Sequence, residues 1–470
     1  MSVASHEPLS HAPARVPMSN VDFAWLRMDD PTNLMMISGV LVFDQPLPFE
    51  RMREAMERRL LPIPRFHQRV VVPAKGRPYW EADPAFDLDA HLSRSTLPGD
   101  GGEPALAAEV SRLMSTPLDY SRPLWNFHLI DNYLGGSVIM GRLHHCIGDG
   151  VALMLVLLSL TDATAEVVAE PGRPENPLTD LFTPGRADVE AARRHAERMM
   201  PETMRLMLSP VEALRKANKW LVRTAATGTL GRLVAKIPDP KTLFKGPLTT
   251  EKRAAWSAPV PIAEIKELQA KLGGTINDIL LTAMTGGLRR YLDARGTLPT
   301  GRLNFRAAVP VNLRPLENMA RLGNEFGLVF LALPVGLADP VARLAELRRR
   351  MQQLKRSAES VMVLGVLNLL GMTPRAIQRF VVGFMGTKAT AVMTNVPGPR
   401  ETVYFGGRPI RDIFFWVPQS GRLGMGISIF SYAGRARLGV ATDVGLVPDP
   451  ERIVQGFHEE LAAMHRLAAG

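Results

Sequence analysis

The apolar residues of this 470-residue chain follow two kinds of pattern, and the two kinds succeed each other along most of its length. Short apolar runs predict strands at residues 38–43, 137–143 and 307–313, and apolar residues three and four apart predict helices at 341–355 and 374–384. Strands and helices mixed in this way favour a layered α/β or α+β structure.

Two local features complete this picture. Residues 87–97 also have a strand-like pattern, and they end in a turn rich in glycine. Thr275 opens another helical pattern, and Asp278 follows it three residues later. That spacing predicts a capping box, with Asp in place of the usual Glu or Gln.

Two irregular stretches divide the chain. Residues 171–188 are dense in Pro, Gly and polar side chains, and residues 237–253 form a second break. The length also exceeds what one ordinary hydrophobic core supports. We therefore predict an N-terminal domain over 1–170, a linker with helices over 171–250, and a C-terminal domain over 251–470.

The composition is that of a folded globular protein, with 46% hydrophobic and 22% charged residues. The single cysteine, Cys146, excludes an intramolecular disulfide and a cysteine-based zinc site, and it suits the cytoplasm. The start of the chain has no signal-peptide pattern. The longest apolar runs, 151–160 and 361–372, fall short of the ~20 residues that span a bilayer, so no transmembrane helix is expected.

The net charge of +10 limits the classes of partner. A basic surface attracts nucleic acid, anionic lipid or an acidic cofactor, although scattered surface arginines would give the same total. The basic residues concentrate on helical patterns such as 343–356 and do not alternate with aromatic residues. Binding of nucleic acid is therefore disfavoured.

Candidate chemistry concentrates at residues 144–150, HHCIGDG, between the strand 137–143 and an apolar helical run. Consecutive strand side chains point to opposite faces, so His144 and His145 cannot bind one zinc ion in the manner of HExxH. One imidazole should face reacting groups, and the other should face the interior. Histidine suits proton transfer near neutral pH, and the glycines around Asp149 suggest close approach of a ligand.

Other interpretations of this motif remain open. The two histidines could be structural residues at a strand end, each with its hydrogen bonds satisfied. Cys146 could be a nucleophile or a buried filler. No GxSxG sequence is present, which weakens the case for a serine hydrolase.

The motif resembles the HHxxxDG signature shared by CoA-dependent acyltransferases of the chloramphenicol acetyltransferase-like fold and by peptide-synthetase condensation domains. Further blocks make the chain similar, over almost its whole length, to the bacterial wax ester synthase/diacylglycerol acyltransferase family. These blocks are DFAWLRMDDPTNLMMISGVLVF (22–43), PLW (123–125), GGTINDILLTA (273–283), VPVNLRP (309–315), GNEFG (323–327) and TNVPGP (394–399). The HxxxxD motif of glycerol-phosphate acyltransferases also fits, but the Glu-Gly pair that such a protein needs is missing.

The resemblance implies two chloramphenicol acetyltransferase-like domains of mixed α/β structure, with the active site at their interface. It implies transfer of a long-chain acyl group from acyl-CoA, as co-substrate, to a fatty alcohol or diacylglycerol. No bound cofactor or metal is expected. His145 would be the general base and His144 a supporting residue, and Asp149 would orient the loop.

The resemblance also suggests residues that bind substrate. Asn277, in the first turn of its helix, would help to stabilise the oxyanion, unless Asn277 and Asp278 only support that helix start. Asp278 and Gly150 join the expected substrate site. Three further residues would shape an acyl channel or belong to the plain core: Pro123, Leu124 and Trp125.

A long acyl substrate implies contact with a membrane or a lipid droplet. The basic, Met-rich residues 199–219 could dock there, or could form a solvated linker. Two alternative functions stay open, namely condensation with a carrier-protein thioester and a non-catalytic role at lipid surfaces. The sequence assigns no oligomeric state.

Overall fold

The computed structural model describes residues 15–165, 237–298, 303–313, 322–355 and 359–469. Most of the predicted linker, including residues 199–219, lies outside them. Residues 237–250 are described and pack on the C-terminal half, where Phe244 is buried and Lys245 Nζ donates to the carbonyl oxygens of Thr387 and Ala389.

Helices and strands alternate along the described residues. The α-helices are Asn20–Met28, Phe49–Ala55, Glu103–Met114, Gly150–Ser159, Ile262–Leu272, Ile276–Ala294, Pro340–Lys355, Glu359–Met372, Arg375–Gly386 and Glu451–Ala469. One sheet has the order Asp412–Trp416, Met36–Phe43, Gly136–His144, Trp125–Tyr133, Leu92–Thr96. The other has the order Phe326–Leu333, Phe305–Asn312, Ala391–Pro397, Met425–Tyr432, Arg435–Asp443, Lys252–Trp256, with Val260–Pro261 beside Arg435–Asp443. Small sheets are formed by Arg15–Pro17, Tyr79–Ala82 and Gln68–Val71, and by Tyr404–Phe405 and Arg408–Pro409.

The first sheet is mainly antiparallel and belongs to the N-terminal half, except for one strand. Asp412–Trp416 comes from the C-terminal half and pairs antiparallel with Met36–Phe43, so that Phe414 lies opposite Val40. The two halves are therefore interlocked, and the domain boundaries drawn from the sequence stay a prediction.

The second sheet belongs to the C-terminal half and contains parallel pairs. Phe305–Asn312, Ala391–Pro397 and Met425–Tyr432 run parallel. The first two are connected through the helices between residues 340 and 386, and the last two through the short strands between residues 404 and 416. The helices Ile276–Ala294 and Glu451–Ala469 pack closely together. At Gly287 they leave no room for a side chain, since a Cβ there would lie 2.9 Å from the Ile453 carbonyl oxygen.

The local patterns predicted most of the elements around the motif. The strand predicted at 137–143 is Gly136–His144, and Thr275 and Asp278 form the predicted capping box. The prediction of a single strand over 87–97 is wrong in its first part. There the Asp87 side chain accepts a hydrogen bond from the Asp89 amide and starts the 3-10 turn Leu88–His91, and the strand Leu92–Thr96 begins only afterwards.

One hydrophobic core crosses the junction of the two halves. It joins Trp25 and Met35 from the N-terminal half with Phe326 and Phe430 from the C-terminal half. The histidine loop is embedded in this shared core, since Cys146 and Ile147 are fully buried members of it. Among the described residues, no helix is long and apolar enough to cross a membrane.

Candidate active site

His145 lies at the end of the central strand of the first sheet and is held on three sides. Its backbone amide donates to the Met35 carbonyl oxygen at 2.7 Å, and its own carbonyl oxygen accepts from Asn324 Nδ2 at 2.8 Å. The imidazole stacks on Trp25, with 4.4 Å between ring centroids and 15° between planes, and Phe326 lies at 5.4 Å. The ring position is therefore fixed by packing from both halves of the chain.

The His145 imidazole is neutral at physiological pH. Burial lowers its pKa to about 4, because a charged ring would lose its hydration there. Nδ1 of this ring is buried and has no hydrogen-bond partner among the described residues. A neutral imidazole in this state can accept a proton from a group that enters the site.

His144 occupies a different environment, as expected for adjacent residues at a strand end. Its Nδ1 accepts a hydrogen bond from the Cys146 amide at 3.1 Å, so the proton of the neutral ring belongs on Nε2. Nε2 lies 3.1 Å from the Tyr120 hydroxyl and 3.6 Å from Asp29 Oδ1. His144 thus ties the loop to a polar cluster, while His145 faces aromatic rings.

Asp149 joins the histidine loop to the GNEFG segment. Its Oδ1 accepts from the Ala152 amide at 3.0 Å and caps the helix Gly150–Ser159, and its Oδ2 accepts from the Glu325 amide at 3.1 Å. The Asp149 amide in turn donates to the Gly323 carbonyl oxygen at 3.2 Å. The carboxylate therefore fixes where the loop ends and the helix begins.

Asp22 and Asn324 complete this arrangement, although neither was predicted as a site residue. Asp22 Oδ1 accepts from the Asn324 amide at 3.0 Å and from its Nδ2 at 2.8 Å. Burial raises the pKa of Asp22, and the hydrogen bonds from Asn324 oppose that shift. The two residues are 302 positions apart, so no local pattern could pair them, although both lie in blocks that carry the family resemblance.

The surroundings of Cys146 favour the interpretation as a buried filler. The side chain is fully buried in the shared core. Burial raises the pKa of its thiol well above the usual range, which disfavours the thiolate that a nucleophile requires.

Asn277 and Asp278 lie in the C-terminal half, and their described hydrogen bonds do not reach the histidine loop. Asn277 Oδ1 accepts from Asn395 Nδ2 at 2.6 Å, which links two of the resemblance blocks. Asp278 Oδ2 accepts from the Thr275 amide at 2.9 Å and completes the capping box. The observed contacts give Asp278 a capping role, and the catalytic role of Asn277 stays a prediction.

Pro123, Leu124 and Trp125 lead into the strand that pairs with the histidine strand, and they are buried. The Leu124 carbonyl oxygen accepts from the His144 amide at 3.0 Å, and Trp125 Nε1 donates to the Phe66 carbonyl oxygen at 2.8 Å. None of the three lines the apolar cavity described next. They hold the end of the histidine strand through the neighbouring strand.

An apolar cavity lies between the first sheet and the helix Gly150–Ser159. It has about 760 Å³ of empty space, its open side included, and its lining side chains are apolar. Gly150 of the motif lines it, together with Leu153, Met154 and Leu157 of the helix. A site with this lining suits an alkyl chain.

Two glycines shape the sheet side of this cavity. Gly39 and Gly141 lie opposite each other on neighbouring strands, and Phe415 and Phe127 flank them in the same cross-strand row. A Cβ on Gly141 would lie 2.7 Å from the Phe127 ring, and one on Gly39 would lie 3.3 Å from Phe415 Cβ. The missing side chains leave room in the middle of the row.

Among the described residues, no group of His, Cys, Asp and Glu side chains could hold a metal ion. The polar groups around His145 are instead hydrogen-bonded to one another and to backbone amides. The chemistry of the described site is that of an imidazole in an apolar, largely enclosed place.

Comparisons with known proteins point to one family over most of the chain. The model of the wax ester synthase/diacylglycerol acyltransferase catalytic domain matches residues 18–280, and that of the WS/DGAT C-terminal domain matches residues 322–465. A Mycobacterium tuberculosis (strain ATCC 25618 / H37Rv) protein, named as a probable diacylglycerol O-acyltransferase, is 27% identical over 458 residues, which cover 95% of each chain.

Solved structures share the fold. The wax ester synthase/diacylglycerol acyltransferase from Marinobacter aquaeolei VT8 has a TM-score of 0.68 at 21% identity, covering 97% of this chain and 100% of that one. The starter condensation domain of rhizomide synthetase RzmA, in complex with C8-CoA and Leu-SNAC, has a TM-score of 0.59 at 12% identity, covering 97% and 95%. The fold predicted from the motif is confirmed, and the chain belongs to the wax ester synthase/diacylglycerol acyltransferase family of acyltransferases.

Proposed function

We propose that this protein transfers a long-chain acyl group from acyl-CoA to the hydroxyl of a fatty alcohol or a diacylglycerol and releases CoA. The observation that carries the proposal is the neutral imidazole of His145, which lies at the end of the motif strand against the rings of Trp25 and Phe326. The apolar cavity lined by Gly150 of the same motif offers space for the acyl chain.

His145 acts as the general base. Its ring takes the proton of the acceptor hydroxyl while the oxygen attacks the thioester carbonyl carbon. The resulting tetrahedral oxyanion collapses, the carbon–sulfur bond breaks, and the CoA sulfur receives the proton from the imidazolium. The stack with Trp25 and the hydrogen bond from Asn324 keep the ring in place through these steps.

The oxyanion needs hydrogen-bond donors that are already in position. Asn277 remains our candidate, since its Oδ1 is held by Asn395 and its Nδ2 makes no hydrogen bond with a described residue. Its place in the first turn of Ile276–Ala294 adds the partial positive charge of a helix start. The remaining residues of the motif act by positioning: His144 holds the loop to Tyr120, and Asp149 holds it to Glu325.

We place the protein in the cytoplasm. Because the acceptors are lipids, we place it there at the surface of a membrane or a lipid inclusion. Long-chain alcohols and diacylglycerols reside at such surfaces, and the bound acyl chain must reach the cavity from there. No resident cofactor is part of the proposal, and acyl-CoA is a co-substrate.

The test uses the purified full chain with hexadecanoyl-CoA and either hexadecanol or dioleoylglycerol. Free CoA and ester are measured for the wild type, for His145→Gln, and for His465→Ala as a matched variant of a histidine remote from the site. We expect His145→Gln to lower kcat by about 10²-fold or more, the usual contribution of a general base, and His465→Ala to be unaffected.

Three outcomes would contradict the proposal. Full activity in His145→Gln would refute the role of the base. Ester formed only from an acyl-phosphopantetheine thioester on a carrier protein would favour the condensation reaction, and no transfer from any donor would favour the non-catalytic role.

A further inference from the structure

Two consecutive helices expose apolar side chains to solvent. Leu369 and Met372 of Glu359–Met372 are 63% and 69% exposed, and Ile377 and Phe380 of Arg375–Gly386 are 50% and 74% exposed. Ten large hydrophobic residues are exposed within the described ranges, and these four fall within twelve positions of one another. Scattered apolar residues are ordinary on a surface, whereas a cluster of this kind marks a place where something binds.

The charged side chains on this part of the two helices have one sign. Residues 366–386 contain Arg375 and Arg379 and no Asp or Glu. Both arginines are exposed, and in the described part of the chain neither makes an ion pair or hydrogen bond. The acidic group that they influence is Asp30, which already accepts hydrogen bonds from Thr32. The cluster therefore combines apolar side chains with two exposed positive charges that have no direct ion-pair partner among the described residues.

These helices are attached directly to the helix that packs against His145. Arg27 donates from Nη1 to the Thr373 carbonyl oxygen at 2.8 Å and from Nη2 to that of Leu370 at 2.6 Å. Gln378 Nε2 donates to the Ala24 carbonyl oxygen at 2.7 Å. The helix Asn20–Met28 also carries the Trp25 that stacks on His145.

We propose that Leu369, Met372, Ile377 and Phe380, with Arg375 and Arg379, form a surface that docks on anionic phospholipid. Apolar side chains beside cationic ones are the composition of helices that lie in a membrane interface, and the arginines select anionic headgroups. The inference rests on the proposed function, because docking here brings the helix that packs on His145 beside the source of the lipid acceptor.

The experiment measures flotation of the full chain with vesicles of phosphatidylcholine alone or with one third phosphatidylglycerol. The wild type should bind the anionic vesicles, and more weakly at higher salt. Arg375→Gln/Arg379→Gln should lower the partition coefficient roughly 30-fold, because each basic residue near an anionic surface contributes about 1 kcal/mol to binding. Leu369→Ser/Phe380→Ser should lower it at least roughly tenfold.

Matched controls come from the exposed face of the closing helix. Leu467→Ser and Arg452→Gln change an exposed leucine and an exposed arginine there, and both should bind vesicles as the wild type does. All variants should keep the wild-type thermal midpoint and the wild-type turnover of a short acyl-CoA with a water-soluble alcohol. That soluble assay separates a failure of docking from a failure of the proposed function, which would abolish turnover and leave vesicle binding unchanged.

Three results would overturn the docking surface. Wild-type protein that ignores anionic vesicles would mean that another part of the chain or a protein partner covers this cluster. Equal binding by the cluster variants would place lipid contact elsewhere. Equal binding to both kinds of vesicle would remove the selection of anionic lipid by the arginines.

Discussion

The buried imidazole of His145 makes the stability of the fold depend on pH in a calculable way. Burial lowers its pKa to about 4 in the folded protein, whereas an unfolded histidine titrates near 6.5. Above the unfolded pKa both states carry a neutral ring. As the pH falls below it, the unfolded chain binds a proton that the folded chain does not, so stability decreases until the folded pKa is passed. At about pH 5 the loss is about 2 kcal/mol, or about 30-fold in the unfolding equilibrium.

Urea unfolding followed by tryptophan fluorescence can isolate this contribution. His145→Phe does not titrate and preserves an aromatic ring against Trp25. The wild type should lose about 2 kcal/mol more than this variant between about pH 8 and pH 5. His91, His128 and His458, whose pKa values are also lowered by burial, titrate in both proteins and cancel in the difference. Equal losses would mean that His145 can be protonated in the folded protein, and would refute the claim that burial lowers its pKa.

Two further substitutions test the cavity and the link between the halves. Gly39→Val should lower kcat/KM for hexadecanoyl-CoA relative to octanoyl-CoA roughly tenfold, because about two methylenes lose their room at about 0.8 kcal/mol each. The control is Val42→Ile, on the opposite face of the same strand, which should leave the ratio of the two kcat/KM values unchanged. If Gly39→Val also leaves this ratio unchanged, the acyl chain binds elsewhere. Asn324→Ala removes the donor to Asp22 and to the His145 carbonyl oxygen and should lower the free energy of unfolding by about 3 kcal/mol. A loss under about 1 kcal/mol in urea unfolding would contradict that linking role.

The local parts of the site follow from local sequence. The strand Gly136–His144, the cap at Asp149 and the capping box at Thr275 each depend on residues within a few positions of one another. The opposite surroundings of His144 and His145 follow from strand geometry. Spacing and side-chain chemistry are sufficient for features of this kind.

The links between distant segments could not be predicted in the same way. The pairing of Asp22 with Asn324 depends on how the two halves pack, and no spacing along the chain encodes it. The same holds for the strand Asp412–Trp416, whose apolar pattern does not say which sheet it joins. Trp125 shows a further difficulty, since a conspicuous tryptophan suits a channel or a core equally well before its neighbours are known.

The exchanged strand Asp412–Trp416 also has a consequence for synthesis of the protein. While the chain emerges from the ribosome, Met36–Phe43 can pair with Gly136–His144 early, but its other edge has no partner until residue 416 has appeared. An apolar strand with an open edge is a template for pairing with other chains. The nascent N-terminal half must therefore be shielded for most of translation, and a chain that stops before residue 412 would aggregate instead of folding into a smaller stable unit.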